Sequence, residues 1–258
     1  NPEEIKSAEY PDANMLHGIE SPGQSWNALT VGAYTKSVTI QDEMYAGFQA
    51  VADNGQLSPY SATSTTFSKK WPEILMDGGN MATNGVDYDL CADLSLLTTS
   101  KDYLIRPFST IWATSAATAQ AAGMAAQIFA EYPGIWPETV RALLVHSARW
   151  TCQMEEQFCT DQKKSSGRRN LLRACGYGVP DLDRAIQCMK NAVNLIVQET
   201  IQPYEKKDGR VQMKEMHLHQ IPWPTEVLQT LGETEVEMRV TLSYFIEPGP
   251  GEKGWKDR

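Results

Sequence analysis

The stretch that decides the fold is residues 113–130, which have the sequence ATSAATAQAAGMAAQIFA. Alanine at this density favours a helix, and side chains this small let neighbouring backbones approach closely. We therefore predict a buried helix with Ser115 in its first turn. A Tyr-Pro-Gly run at 132–134 ends this helix. The Trp-Pro-Glu run at 136–138 starts a second one, because proline is preferred at the first helical position.

The segments on either side of these helices indicate strands and turns. The apolar run ALTVGAY at 28–34 predicts a buried strand, and EILM at 73–76, followed by DGGN, predicts a second strand that ends in a sharp turn. The Ser- and Thr-rich stretch 58–67 and the charged stretch 153–170 are typical of loops. After the turn GYGVPD at 176–181, apolar residues at helical spacing predict a third helix.

The hydrophobic period changes from helical spacing to alternation after about Asn191. One set of alternating apolar residues consists of Val193, Leu195 and Val197, and a clearer set consists of Val236, Met238, Val240, Leu242, Tyr244 and Ile246. Alternation of this kind predicts a half-buried antiparallel sheet. We therefore predict an α/β fold over residues 1–190, a parallel sheet flanked by helices, followed by a partial antiparallel β-module over 191–258.

Composition and charge exclude several classes of protein. The chain has 258 residues, 41% of them hydrophobic, and a net charge of −9, which argues against binding to nucleic acid. No apolar run approaches the roughly 18 residues of a membrane span, so no membrane partner is expected. Neither end looks like a natural terminus, so we expect both to be cuts. The five cysteines are an odd number and favour free thiols in the cytoplasm, with secretion as the alternative.

His217 and His219 would place two imidazoles on one face of a strand, because side chains alternate with period 2. We interpret them as solvent-facing histidines and keep a metal site as the alternative. The cysteines lack the paired spacing of a zinc site, so no metal and no cofactor are expected.

Ser115 is the candidate nucleophile. Free backbone N–H groups and the positive end of the helix dipole can stabilise an oxyanion at a helix start. Serine at this position is also the commonest N-cap, and position alone favours that structural role.

Four motifs occur in an order that resembles the subtilisin-like serine proteases, or subtilases. They are LTVGA at 29–33, ILMDGG at 74–79, the Thr-Ser-Ala-Ala start of the alanine-rich helix at 114–117 with VRALLVHSA at 140–148 after it, and GYGVPD at 176–181. The resemblance spans about residues 1–190 and implies a subtilisin-like parallel sheet with peptidase activity on protein or peptide substrates.

The resemblance implies site residues as well. Ser115 would be the nucleophile and one oxyanion donor through its own N–H group. Asn1 matches the asparagine whose side chain is the second donor in subtilases. The chain departs from the family pattern at Ala113, where the family has glycine, and at Ala119, where it has proline. Calcium often stabilises the family, but no acidic loop here has ligand spacing that names a site.

The family order is Asp, His, Ser, and the only histidine before Ser115 is His17, which follows Asn1. We therefore expect the triad aspartate and histidine upstream of residue 1, in a missing N-terminal part of the same protease. His146 fits a hydrogen-bonded helix histidine better than a base. An α/β-hydrolase order, with Asp181 or Asp183 and then His217 or His219, is disfavoured because the Gly-x-Ser-x-Gly pattern is absent.

The predicted function is that of a serine endopeptidase that forms an acyl-enzyme on Ser115. The alternatives are a catalytically inactive subtilase fold that binds peptides or partners, and a fragment whose β-module only docks the protease to a partner.

Overall fold

The computed structural model describes residues 10–64, 70–159, 165–190, 194–221 and 223–246. The helices are α1 (Asp12–Leu16), α2 (Ala113–Glu131), α3 (Pro137–Ser147), α4 (Cys152–Phe158), α5 (Ser165–Cys175), α6 (Leu182–Lys190) and α7 (Thr225–Leu231). The strands are β1 (Val31–Tyr34), β2 (Gln49–Ala50), β3 (Ile74–Asp77), β4 (Ala82–Thr83), β5 (Tyr88–Asp89), β6 (Leu96–Thr99), β7 (Phe108–Ile111), β8 (Tyr204–Lys207) and β9 (Arg210–Met213).

The centre of the fold is the parallel pair β1 and β3, in which Val31 lies opposite Ile74 and Tyr34 opposite Asp77. Helix α2 packs on both strands. Both strands were predicted from their apolar runs, and the α/β class is confirmed. Parallel strands need a crossover connection, so the chain between β1 and β3 loops out and contributes β2 to a separate small sheet with β4 and β5.

The main core joins β3 to three helices. Ile74, Ala121, Ile128, Leu144 and Ala185 are buried in one cluster drawn from β3, α2, α3 and α6. Val140, Leu143, Leu144 and Ser147 form the buried face of α3, and its first residue is proline, as expected. Helix α2 differs from the prediction, because only one of its faces is buried and Phe129 on the other is 41% exposed.

Two stretches predicted as loops are part of the folded body. Of residues 153–170, those that the structure describes lie in α4 and α5, which form because Met154, Phe158 and Leu171 are buried in a common core beneath the charged surface. The described part of 58–67 is buried along the free edge of β1, where the N–H of Ala33 donates to Ser61 Oγ at 3.0 Å. The Ser61 hydroxyl and the N–H of Ser58, which donates to Ala33 O at 3.0 Å, take the place of a neighbouring strand.

We call residues 28–190 the α/β region and residues 194–246 the C-terminal region. In the latter, β8 and β9 form a hairpin around Asp208 and Gly209, both with positive φ. The predicted strand at 236–246 is wrong, since these residues belong to no ladder. Residues 194–197 are not a strand either, and Val193 lies outside the described residues.

The segment 236–246 instead contacts the end of α3 through its polar residues. Arg239 donates to the carbonyl oxygens of His146 and Ala148 at 2.6 and 2.8 Å, while Val240 and Leu242 are 78% and 81% exposed. Arg239 thus joins Arg149 in donating to carbonyl groups at a helix end, and the apolar side faces outward. The boundary between domains 1–190 and 191–258 stays a prediction. Among the described helices, none has the length and apolar content of a membrane span.

Candidate active site

Ser115 is exposed in the first turn of α2. The N-cap of this helix is Trp112, in extended conformation and without a side-chain hydrogen bond to the helix. The interpretation of Ser115 as an N-cap is therefore wrong, because it is the third helical residue. The first N–H groups of a helix have no intrahelical partner, and those of Thr114 and Ser115 can therefore bind an anion.

The first residue of α2 has an unusual conformation. Ala113 has φ of 67°, in the left-handed region that favours glycine, and its N–H donates to Gly78 O at 2.8 Å. A non-glycine residue held there costs of the order of 1 kcal/mol, and such strain persists only where the surroundings impose it. The resemblance to subtilases puts glycine at this position, and glycine would adopt this φ without strain.

The turn after β3 fixes the start of α2 against the sheet. A Cβ atom on Gly78 would lie 2.5 Å from Ala33 Cβ and 3.1 Å from Ala113 O, so only glycine allows this close approach. Asp77 Oδ1 accepts from the N–H of Gly79 at 3.0 Å, and Gln120 Nε2 donates to Asp77 O at 2.6 Å. Ser115 is thereby held at the carboxyl end of β3.

The N-terminus of α2 carries a partial positive charge of about half an elementary charge. This dipole and the Ser115 N–H can stabilise an oxyanion that forms next to the hydroxyl group. In the described part of the chain, none of the four histidine rings forms a hydrogen bond to Ser115.

His146 lies at the other end of the sheet from Ser115. It lies on α3, close to Arg149. The backbone of Arg149 pairs with that of Val179, which lies near the amino end of β3. Its Nδ1 is 2.9 Å from Thr241 Oγ1, in agreement with a hydrogen-bonded helix histidine. Burial, together with the Arg149 charge, lowers the pKa of His146.

The α/β-hydrolase order finds no support in the geometry. Asp181 Oδ1 accepts from the N–H of Arg184 at 2.7 Å and so caps α6. His217 and His219 contact Glu199 instead of an aspartate. Sequence reasoning missed Glu199, because nothing in the local pattern links it to histidines 18 residues further on.

Asn1, the predicted second oxyanion donor, lies outside the described residues, and so its predicted separation from Ser115 stays a prediction. The five cysteines are free thiols. Cys175 is fully enclosed in the core beneath β3, and burial raises the pKa of its thiol.

Comparisons with known proteins bear on the first 180 residues most directly. The model of the subtilase family, peptidase family S8, matches residues 5–178. An uncharacterized protein of Sinorhizobium fredii (strain NBRC 101917 / NGR234), y4bN, is 27% identical over 246 residues, which are 92% of this chain and 53% of that protein. The chain therefore spans about half the length of this relative.

Among solved structures, a protease of Pseudoalteromonas arctica PAMC 21717 is similar with a TM-score of 0.39 and 18% identity, over 65% of this chain and 37% of that one. The family match includes both parallel strands, the turn at Gly78, the whole of α2 and the glycine turn that closes the motif order. Because it extends over more than half of the 258 residues, the chain belongs to the subtilase family.

Proposed function

We propose that this chain is the serine-bearing part of a subtilisin-like serine endopeptidase, with Ser115 as its nucleophile. The observation that carries the proposal is the exposed hydroxyl of Ser115 at an uncapped helix N-terminus. A serine in this position can reach a substrate carbonyl, and the helix holds the nucleophile and its N–H donor in one rigid unit.

In the proposed reaction, Ser115 Oγ attacks the carbonyl carbon of the scissile peptide bond, and a general base takes the hydroxyl proton. The resulting oxyanion accepts hydrogen bonds from the Ser115 N–H and from the side chain of Asn1. Collapse of this intermediate expels the amine, to which the protonated base returns its proton, and leaves an acyl-enzyme. Water, deprotonated by the same base, then hydrolyses the ester and regenerates Ser115.

The base and the aspartate that orients it are proposed to lie upstream of residue 1. Two observations support this. Each histidine that has a side-chain partner in the described part of the chain is paired elsewhere, His146 with Thr241, and His217 and His219 with Glu199. In addition, the relative y4bN is about twice as long as the aligned part of this chain, which leaves room for the other half of a catalytic domain.

The test is covalent labelling of the longer protein with a fluorophosphonate probe. Ser115→Ala should abolish labelling and lower the peptidase rate at least about a thousand-fold, since removal of a triad member leaves only oxyanion and binding effects. The exposed Ser25→Ala variant is the matched control and should label like wild type. Undiminished labelling of Ser115→Ala would refute the assignment. The 258-residue chain alone should not label.

A second candidate function is that of an inactive subtilase fold that binds peptides. The observation that favours it is Ala113, whose methyl group stands at the strained start of α2 where the family has glycine. A longer protein that fails to label but still binds an unfolded polypeptide, measured by fluorescence anisotropy, would favour this function over hydrolysis.

A further inference from the structure

Three side chains that can bind a metal meet at the base of the β8–β9 hairpin, in the C-terminal region. Glu199 Oε2 is hydrogen-bonded to His217 Nδ1 and lies 3.8 Å from His219 Nε2. One potential ligand atom from each of the three residues lies within 4.8 Å of the other two. The cluster is remote in sequence from the Ser115 motif and plays no part in the proposed hydrolysis.

The hairpin brings the three residues together. Its two arms continue past the ladder, where the N–H of Lys214 donates to Pro203 O at 2.9 Å and the N–H of Gln202 donates to Glu215 Oε2 at 2.7 Å. The segments on both sides of the hairpin therefore run next to each other, and Glu199 on the first segment faces the His-x-His pair on the second.

We propose that Glu199, His217 and His219 form a binding site for a divalent transition metal of the zinc type. Two imidazoles and one carboxylate are donors that suit Zn²⁺, whereas Mg²⁺ and Ca²⁺ prefer sites made only of oxygen. In a tetrahedral zinc site with bonds of about 2.1 Å, ligand atoms are about 3.4 Å apart. Small rotations of the three half-exposed side chains reach that spacing from the present one.

The fourth position of the site is open to water. The side chains of His217, His219 and Glu199 are 34%, 40% and 46% exposed, so solvent reaches the space between them. Glu215 is not part of the cluster, because its carboxylate already accepts from the N–H of Gln202 at 2.7 Å and lies 3.6 Å from Lys214 Nζ. A site with three protein ligands and one water keeps an exchangeable position.

A bound ion would replace the hydrogen bond between His217 and Glu199 by a cross-link across both arms of the hairpin. The proposed site departs from the expectation of no metal, in which His217 and His219 are interpreted as solvent-facing histidines and the cysteines lack the spacing of a zinc site. The third donor comes from chain folding, and three protein donors distinguish a metal site from two separate surface histidines.

The test is a titration of the metal-free chain with Zn²⁺ in competition with a chromophoric chelator, and a parallel titration with Co²⁺ followed by visible absorption. We expect one ion per chain and the intense visible bands of four-coordinate Co²⁺. His217→Gln and His219→Gln should each weaken Zn²⁺ binding at least ten-fold, and Glu199→Gln should weaken it as well. All three residues are on the surface, so the far-UV circular dichroism should not change.

Two control variants separate this site from other donors. His17→Gln removes an exposed histidine elsewhere, and Cys152→Ser removes the exposed thiol. Both should bind Zn²⁺ like wild type. The proposal is overturned if wild type binds no tighter than His217→Gln, or if the loss of affinity follows Cys152 instead of the histidines. Neither outcome bears on Ser115, whose labelling is measured separately.

Discussion

The α/β region and the C-terminal region use apolar residues in opposite ways. In the first, Val140, Leu143 and Leu144 recur at helical spacing and are buried. In the second, the apolar residues of 236–246 alternate just as regularly, yet they face outward while Arg239 and Thr241 contact α3. A regular hydrophobic pattern therefore defines an apolar face, but burial of that face also requires a second layer of the protein to cover it.

The polar contacts of 236–246 explain why the segment lies where it does. Helix α3 ends with carbonyl groups that have no partner within the helix, and the guanidinium group of Arg239, like that of Arg149, donates charge-assisted hydrogen bonds to two carbonyl groups at this end. The apolar side gains nothing by burial unless a second layer is present. The position of the segment is thus fixed by its hydrogen bonds and not by its hydrophobic face.

The largest contrast between the regions is expected at two glycines with positive φ. Gly178 in the α/β region has φ of 97°, and a Cβ atom there would lie 2.2 Å from Arg149 O. Gly178→Ala must break the paired hydrogen bonds of Arg149 and Val179, so we expect it to cost more than about 4 kcal/mol or to prevent folding. Urea unfolding followed by tryptophan fluorescence measures the loss.

Gly209 in the β8–β9 turn is the matched control. It also has positive φ, 79°, but a Cβ atom there would meet nothing within 4 Å. Gly209→Ala should cost only about 1 kcal/mol, from backbone strain alone. Equal unfolding midpoints for the two variants would contradict the contrast.

Truncation of a leucine in each region is expected to have the next largest effect on the free energy of unfolding. Leu144 is fully buried between α3 and β3, so Leu144→Ala should reduce the free energy of unfolding by about 2–5 kcal/mol. Leu242→Ala removes the same atoms from an exposed position, and its effect should stay within about 0.5 kcal/mol. A large loss of stability in Leu242→Ala would show that the apolar face of 236–246 is covered in solution.

The smallest effect on stability is expected from substitution of His146, which lies at the contact between the two regions. Burial lowers its pKa below 6.5, so the unfolded state binds a proton more readily than the folded state. The neutral imidazole therefore stabilises the folded state above pH 6.5, and this stabilisation is lost as pH falls through the lower pKa of the folded state. The melting temperature of His146→Gln should therefore drop less than that of wild type between about pH 7.5 and pH 5. Parallel pH profiles would contradict the assignment.

The sequence was sufficient where short-range rules and burial agree. Both parallel strands, the start of α3 at Pro137 and the turn at 176–181 follow from apolar runs, proline and glycine. It failed at residues 153–170, because buried Met154 and Phe158, with Leu171 just after the stretch, stabilise helices among many charged residues. It failed again at 236–246, where the outcome depends on a long-range contact with α3.

The site was predictable to a similar extent. Ser115 stands out because a motif surrounds it, and the structure adds that Trp112 is the N-cap and that Ala113 is strained. Glu199 could not be predicted as a neighbour of His217 and His219, since only the register of a hairpin brings them together. Pairings of this kind are set by the turn and by cross-strand contacts, which single-residue patterns do not encode.

Ala113 has a consequence for the motion of the nucleophile. Glycine at a left-handed position can leave it at little cost, so a helix that begins on glycine can swivel about that residue. Alanine has far fewer accessible torsion angles, and at φ of 67° its N–H donates to Gly78 O. The methyl group thus narrows the range of backbone angles at the residue where the serine helix begins, and we expect the start of α2 to move less than it would with glycine at position 113.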